Sequence, residues 1–120
     1  MVSIDDVRAI ASGLPRSYEA MVGDRVKFRV GRIVYLAFSR DEKVMGCAFP
    51  REERALLVAS EPDKFQMPSP SDMRYNWVHV RLGAIDGAEM MELVLDAWRM
   101  AVPRKVASAY LEGLRREPAE

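Results

Sequence analysis

Hydrophobic positions change their period along the chain, and each change marks an element. Ile4, Val7, Ile10, Ala11 and Leu14 recur at the spacing of one helix face. Ser3 and Asp6 frame that run as a Ser-x-x-Asp capping box, and Gly13 with Pro15 stops it. A first helix is therefore predicted from about Ile4 to Ser12. The period then drops to two. Val26, Phe28 and Val30 alternate with Arg25, Lys27 and Arg29, which predicts a strand with one apolar and one basic face. Gly31-Arg32 predicts a tight connection into Ile33–Phe38, apolar throughout as in a central strand covered at least in part on both sides. A polar turn over 40–43 leads to a third strand, Val44–Phe49.

Pro50 suits the first helical position, and Glu52 and Glu53 complement the dipole of a first turn. Ala55, Leu56, Val58 and Ala59 carry that second helix to about Ser60. Phe65–Met67 predicts a short strand, and Pro68 and Pro70 make Gln66–Arg74 a loop. Alternation returns over Asn76–Leu82, with Val78, Val80 and Leu82 on one side and Trp77, His79 and Arg81 on the other. Asp86 and Glu89 form a second capping box before a third helix striped by Met90, Leu93, Val94, Ala97, Trp98 and Ala101. Pro103 opens a fourth helix whose stripe is Val106, Ala109, Tyr110 and Leu114. Short turns between strands predict an α+β two-layer sandwich with an antiparallel five-stranded sheet and helices on one face, in the order α-β-β-β-α-β-β-α-α. The chain is too short for a second core, so residues 1–120 are expected to form one domain.

Composition narrows the function classes. Eighteen Lys and Arg balance eighteen Asp and Glu, which excludes nucleic-acid binding by bulk positive charge and a polybasic membrane-surface protein. The charges divide evenly along the chain, ending on the short run Arg115-Arg116-Glu117. One cysteine excludes an intramolecular disulfide and a multi-cysteine zinc site, and one histidine excludes a multi-histidine metal site. The N-terminus lacks the basic-then-apolar pattern of a signal peptide, and no apolar run is long enough to span a bilayer. A soluble, cytoplasmic protein with no cofactor is expected.

No constellation of reacting groups supports an enzyme. Asp5–Asp6 and Glu52–Glu53 sit in helix first turns, and Cys47, within an apolar strand, reads as a buried inert thiol. The eight methionines read mostly as core filler, with Met67 and Met73 marking a small apolar contact surface in the proline loop. His79 reads first as a half-buried strand histidine and second as a phosphate or base contact. The second reading gains if Arg25, Lys27 and Arg29 share a sheet face with Trp77, His79 and Arg81. Five cations would then neighbour one indole, pairing phosphate contacts with a stacking surface. Against it, charged outward strand faces also serve to prevent edge aggregation.

Several segments resemble a known family. Lys27–Tyr35 (KFRVGRIVY), Pro50 opening a short helix, Tyr75–Leu82 (YNWVHVRL) and Asp96-Ala-Trp98 are similar to the MmcQ/YjbR family, from the first helix to about Ala109. The resemblance implies an α+β sandwich on an antiparallel five-stranded sheet, and DNA binding through a "double wing" of strands. Arg25, Lys27, Arg29, Arg32 and the tryptophan strand follow the pattern. Glu19–Gly23 departs from it, lacking the tryptophan-glycine or histidine-proline pieces of many members. The expectation is a small non-catalytic domain, monomeric or weakly dimeric, that binds DNA or other nucleic acid weakly or non-specifically through Arg25, Lys27, Arg29, Arg32, Trp77, His79 and Arg81. The alternative is a protein-interaction or adaptor module acting through the sheet face or the 66–74 loop.

Overall fold

The computed structural model describes residues 1–116, with side chains through Arg115; Glu117 of the charged run and the end of the expected 1–120 domain lie outside the described residues. The elements are α1 (Ile4–Ala11), β1 (Ser17–Val22), β2 (Arg25–Val30), β3 (Ile33–Phe38), β4 (Val44–Ala48), α2 (Arg51–Ser60), β5 (Phe65–Gln66), β6 (Trp77–Arg81), α3 (Gly87–Arg99) and α4 (Arg104–Arg116). Single 3-10 turns cover Pro70–Asp72 and Leu82–Ala84. Both expected capping boxes form: Ser3 Oγ accepts from the Asp6 N–H, and Asp86 Oδ1 accepts from the Glu89 N–H at 2.8 Å. Pro50 caps α2 from outside rather than opening it.

All strand pairs are antiparallel, in the order β1-β2-β3-β4-β6-β5. The sheet thus has six strands, not five. The extra one is β1, which precedes the three expected strands of the meander. It is an edge strand with Tyr18, Met21 and Val22 all exposed, so its residues carry no burial alternation for a sequence to display. From β4 the chain crosses through α2 to β5, and β6 returns into the gap between them.

The alternating strands do what their pattern requires. Val26, Phe28 and Val30 of β2 and Val78 and Val80 of β6 are buried, as are Leu36, Phe38, Met45 and Cys47 between them. A bulge between Phe28 and Arg29 of β2 and the facing β3 lets both Tyr35 and Leu36 enter the core. All four helices add residues to this one core, with Val7, Leu57, Val94, Trp98 and Ala107 among them. Trp98 is the largest fully buried side chain; its indole N–H donates to the Pro15 carbonyl at 2.9 Å, and Tyr110 of α4 packs edge-on against it at 5.3 Å. Ala107, not Ala109, is the buried alanine of α4, and Leu114 is exposed, so the inward stripe of that helix is rotated from the expected one.

The methionines depart further from expectation. Among the described residues only Met45 and Met90 are core; Met1, Met21, Met91 and Met100 are exposed against expectation, and Met67 and Met73 are exposed in the proline loop as expected. Cys47 is fully buried, and burial first, with the nearby Asp96 charge second, pushes its thiol up to about 12. No helix among the described residues is long and apolar enough to cross a membrane.

Candidate nucleic-acid interface

Strand register fixes what the opposite face of the sheet presents. Ala20, Lys27, Ala37, Gly46, His79 and Gln66 are successive cross-strand partners, one row running from β1 to β5. Flanking rows bring Tyr18 beside Arg29 and Val34, Val22 beside Arg25, Ala48 beside Trp77, and Val44 beside Arg81. Arg25, Lys27 and Arg29 therefore share a face with Trp77, His79 and Arg81. They are not neighbours, however. β3 and β4 lie between, and three steps of about 4.8 Å separate the basic strand from the tryptophan strand by about 14 Å.

The intervening strands carry small or modest side chains, Val34, Ala37, Val44, Gly46 and Ala48, and a groove of about 770 Å³ runs over them. Arg25 and Lys27 line one side. Trp77, His79 and the loop residues Asp72, Tyr75 and Asn76 line the other. The picture of five cations around one indole is replaced by a trough with cations on one wall and aromatics on the other.

Gly46 is the residue that lets the indole lie down. A Cβ built there would sit 2.6 Å from Trp77 Nε1 and 2.8 Å from Cε2 and Cζ2, so the ring lies directly on the glycine. Half-buried, Trp77 is pinned against the sheet and still lines the groove.

The loop wall is held from beneath by Arg54, the one charged residue that is buried among the described residues. Its guanidinium donates to the carbonyls of Met73 (2.7 Å), Tyr75 (3.0 Å) and Trp77 (2.9 Å). One turn earlier, the Arg51 N–H donates to Asn76 Oδ1 at 3.0 Å and the Arg51 guanidinium bonds the Arg74 carbonyl. Five consecutive residues, Met73 to Trp77, are thus tied to α2. Arg74 stacks over the Tyr75 ring at 4.9 Å.

The remaining expected site residues divide. Arg29 is half-buried, and its Nε is a buried donor with no acceptor among the described residues. Arg32 is exposed at the β2–β3 turn beside Gly31, whose φ of 60° supplies the left-handed backbone of the hairpin. Arg81 is turned away from the groove, donating to the Pro62 and Asp63 carbonyls at 2.7 and 3.0 Å. His79 is half-buried, and that burial lowers its pKa against a smaller opposing pull from Asp72, so the ring is neutral at pH 7. Cys47 points to the opposite, core side of β4, away from His79.

The stretch from β1 to α3, which contains every strand of this face, is also what the comparison with known families recognises. A family model described as YjbR matches residues 12–100. The chain belongs to the YjbR family. The matched span starts at the end of α1 and stops at the end of α3, so it contains the whole sheet and the loop wall. An uncharacterised protein of Mycobacterium tuberculosis, Rv2570, is 29% identical over 130 aligned positions, covering 92% of this chain and 97% of the relative. An uncharacterised protein of Mycobacterium bovis, Mb2600, matches to the same extent. The crystal structure of the Deinococcus radiodurans protein DR2400, with the family domain DUF419, shares the fold at a TM-score of 0.72 and 21% identity, over 83% of this chain and 78% of that one.

Gly46, Asp72 and Asn76, which line the groove, and Arg54, which supports its loop wall, lie outside the nucleic-acid contacts that sequence reasoning selected in this YjbR-family chain. Arg51 and Arg54 stand three apart in α2, which was a legible sign of a shared helix face. Nothing in the sequence said that this face meets a loop twenty residues downstream.

Proposed function

We propose that this YjbR-family chain is a non-catalytic binding domain for single-stranded nucleic acid, held weakly across the open sheet face. Phosphates would meet Arg25, Lys27 and Arg29, and an unpaired base would stack on Trp77. The observation that carries this reading is the trough itself, with cations and a pinned indole on opposite walls over a floor of small residues. Stacking on an indole needs a base free of its duplex neighbours, which favours a single strand over a duplex.

Fluorescence anisotropy with a labelled oligo-dT of about 12 nucleotides tests this, with its duplex as comparison. Three phosphate contacts on a single strand imply a salt slope of about 2, hence roughly twentyfold weakening from 50 to 200 mM salt. The single strand should bind more tightly than the duplex, and the double variant K27E/R29E should lose more than about tenfold in affinity at the lower salt. No binding to either ligand at 50 mM salt, or tighter binding of the duplex, would overturn the proposal.

A further inference from the structure

The two walls of the groove are chemically unlike, and that difference says which end of a nucleotide each receives. The β2 wall offers Arg25 and Lys27. The loop wall offers a carboxylate, Asp72, close enough to His79 to act on its charge. A carboxylate repels phosphate, so the loop wall is not part of a backbone track. It does suit the edge of a base lying on Trp77, because an ionised carboxylate only accepts hydrogen bonds and a base edge carries N–H donors.

We infer that the Trp77 end of the groove is a base subsite that prefers guanine, read by Asp72 and Asn76, while the strand's phosphates run towards Lys27 and Arg25. This rests on the nucleic-acid reading above and adds a base preference to it.

Guanine is singled out by donor count. Its Watson–Crick edge carries N1–H and N2–H side by side, and these two donors match the two oxygens of one carboxylate. Adenine and cytosine present an amino group beside a ring acceptor that faces the carboxylate unfavourably. Thymine presents one N–H flanked by two carbonyls. Asp72 Oδ2 already accepts from Ser69 Oγ at 3.2 Å, which steadies the carboxylate on its 3-10 turn and leaves lone pairs on both oxygens.

Asn76 supplies the complementary donor. Its Oδ1 is engaged by the Arg51 N–H at 3.0 Å, so the amide orientation is fixed and its NH₂ is the group left to donate. Guanine O6, next to N1–H, is an acceptor for it. Both readers sit on a wall whose backbone carbonyls are clamped by Arg54, so little order has to be created on binding. The distance of about 14 Å to the β2 cations is that of roughly two nucleotides, which makes a short oligomer the proper probe rather than a mononucleotide.

Short oligo-dT strands with one central dG, dA or dC give the test, with the unsubstituted strand as reference. Trp98 is fully buried, so a ligand-dependent change in tryptophan emission reports Trp77. The dG strand is expected to bind about tenfold more tightly than the others, the scale of a good bidentate base contact. In the variant D72N that advantage should fall to within about twofold, with oligo-dT affinity retained or raised as the repulsion is lost. Four wild-type affinities within about twofold of each other would overturn the base subsite while leaving single-strand binding in place. An unchanged dG advantage in D72N would overturn the role given to Asp72. Absence of binding by every strand would remove both this inference and the reading beneath it.

Discussion

Replacing Arg54 with alanine is expected to cost about 3 kcal/mol of stability and to lower Tm by roughly 10 °C. The effect is large because one guanidinium serves three carbonyls, those of Met73, Tyr75 and Trp77, from a position only 5% exposed. Hydrogen bonds from a charged donor are worth more than neutral ones, and truncation removes all three while emptying the space beneath the loop. Water can reach some of the freed carbonyls, since Met73 and Tyr75 are exposed, which keeps the figure below three full penalties. Lysine should recover little, because its single ammonium cannot reproduce the planar fork. Urea titration checks this directly. A midpoint within error of the parent would show that the loop wall does not depend on the clasp.

Placing a methyl group at Gly46 is the second large effect. In a strand interior, alanine is ordinarily favoured over glycine by roughly 0.5–1 kcal/mol. At this position the sign should reverse, since the new Cβ would stand 2.6–2.8 Å from three atoms of the Trp77 ring. The indole is rigid and has to swing off the sheet as a body. G46A is therefore expected to lose about 1–3 kcal/mol and to shift tryptophan emission to the red, with Trp98 unaffected. Removing the ring first should abolish the penalty, so a cycle of G46A, W77A and the double variant should give a coupling of about 1 kcal/mol or more. Additive effects would mean that glycine and indole do not touch.

These two residues also show where sequence reasoning stopped. The faces of the strands were legible because alternation in Arg25–Val30 and Trp77–Arg81 is a direct imprint of one buried and one open side. That sufficed to put the β2 cations and Trp77 on a common face once the sheet formed. It did not give their spacing, because β6 enters between β4 and β5 and leaves two strands between β2 and itself. Strand β1 escaped because an edge strand buries little on either side. Arg54 escaped for a different reason: a charged helical residue ordinarily faces water, and the carbonyls that draw it inward belong to a loop about twenty residues later. Gly46 looked like an ordinary strand glycine until the ring above it was placed.

The balance of eighteen cations and eighteen anions also gains a spatial meaning. Asp5, Asp6, Glu52, Glu53 and Glu89 occupy helix first turns, where they complement the dipole. Arg25, Lys27 and Arg29 stand on the sheet face away from the core. A neutral sum limits long-range attraction and is compatible with a local cationic wall.

Chemical-shift mapping with oligo-dT at low salt tests the central claim most directly, because the two tryptophans provide opposite controls. The Trp77 indole N–H and the amides of Lys27, Ala37, Gly46 and His79, four members of one cross-strand row, are expected to shift together. The Trp98 indole N–H, bonded to the Pro15 carbonyl within the core, should stay where it is. Shifts confined to the helices or the Trp98 signal, with that row silent, would contradict binding across the open sheet face.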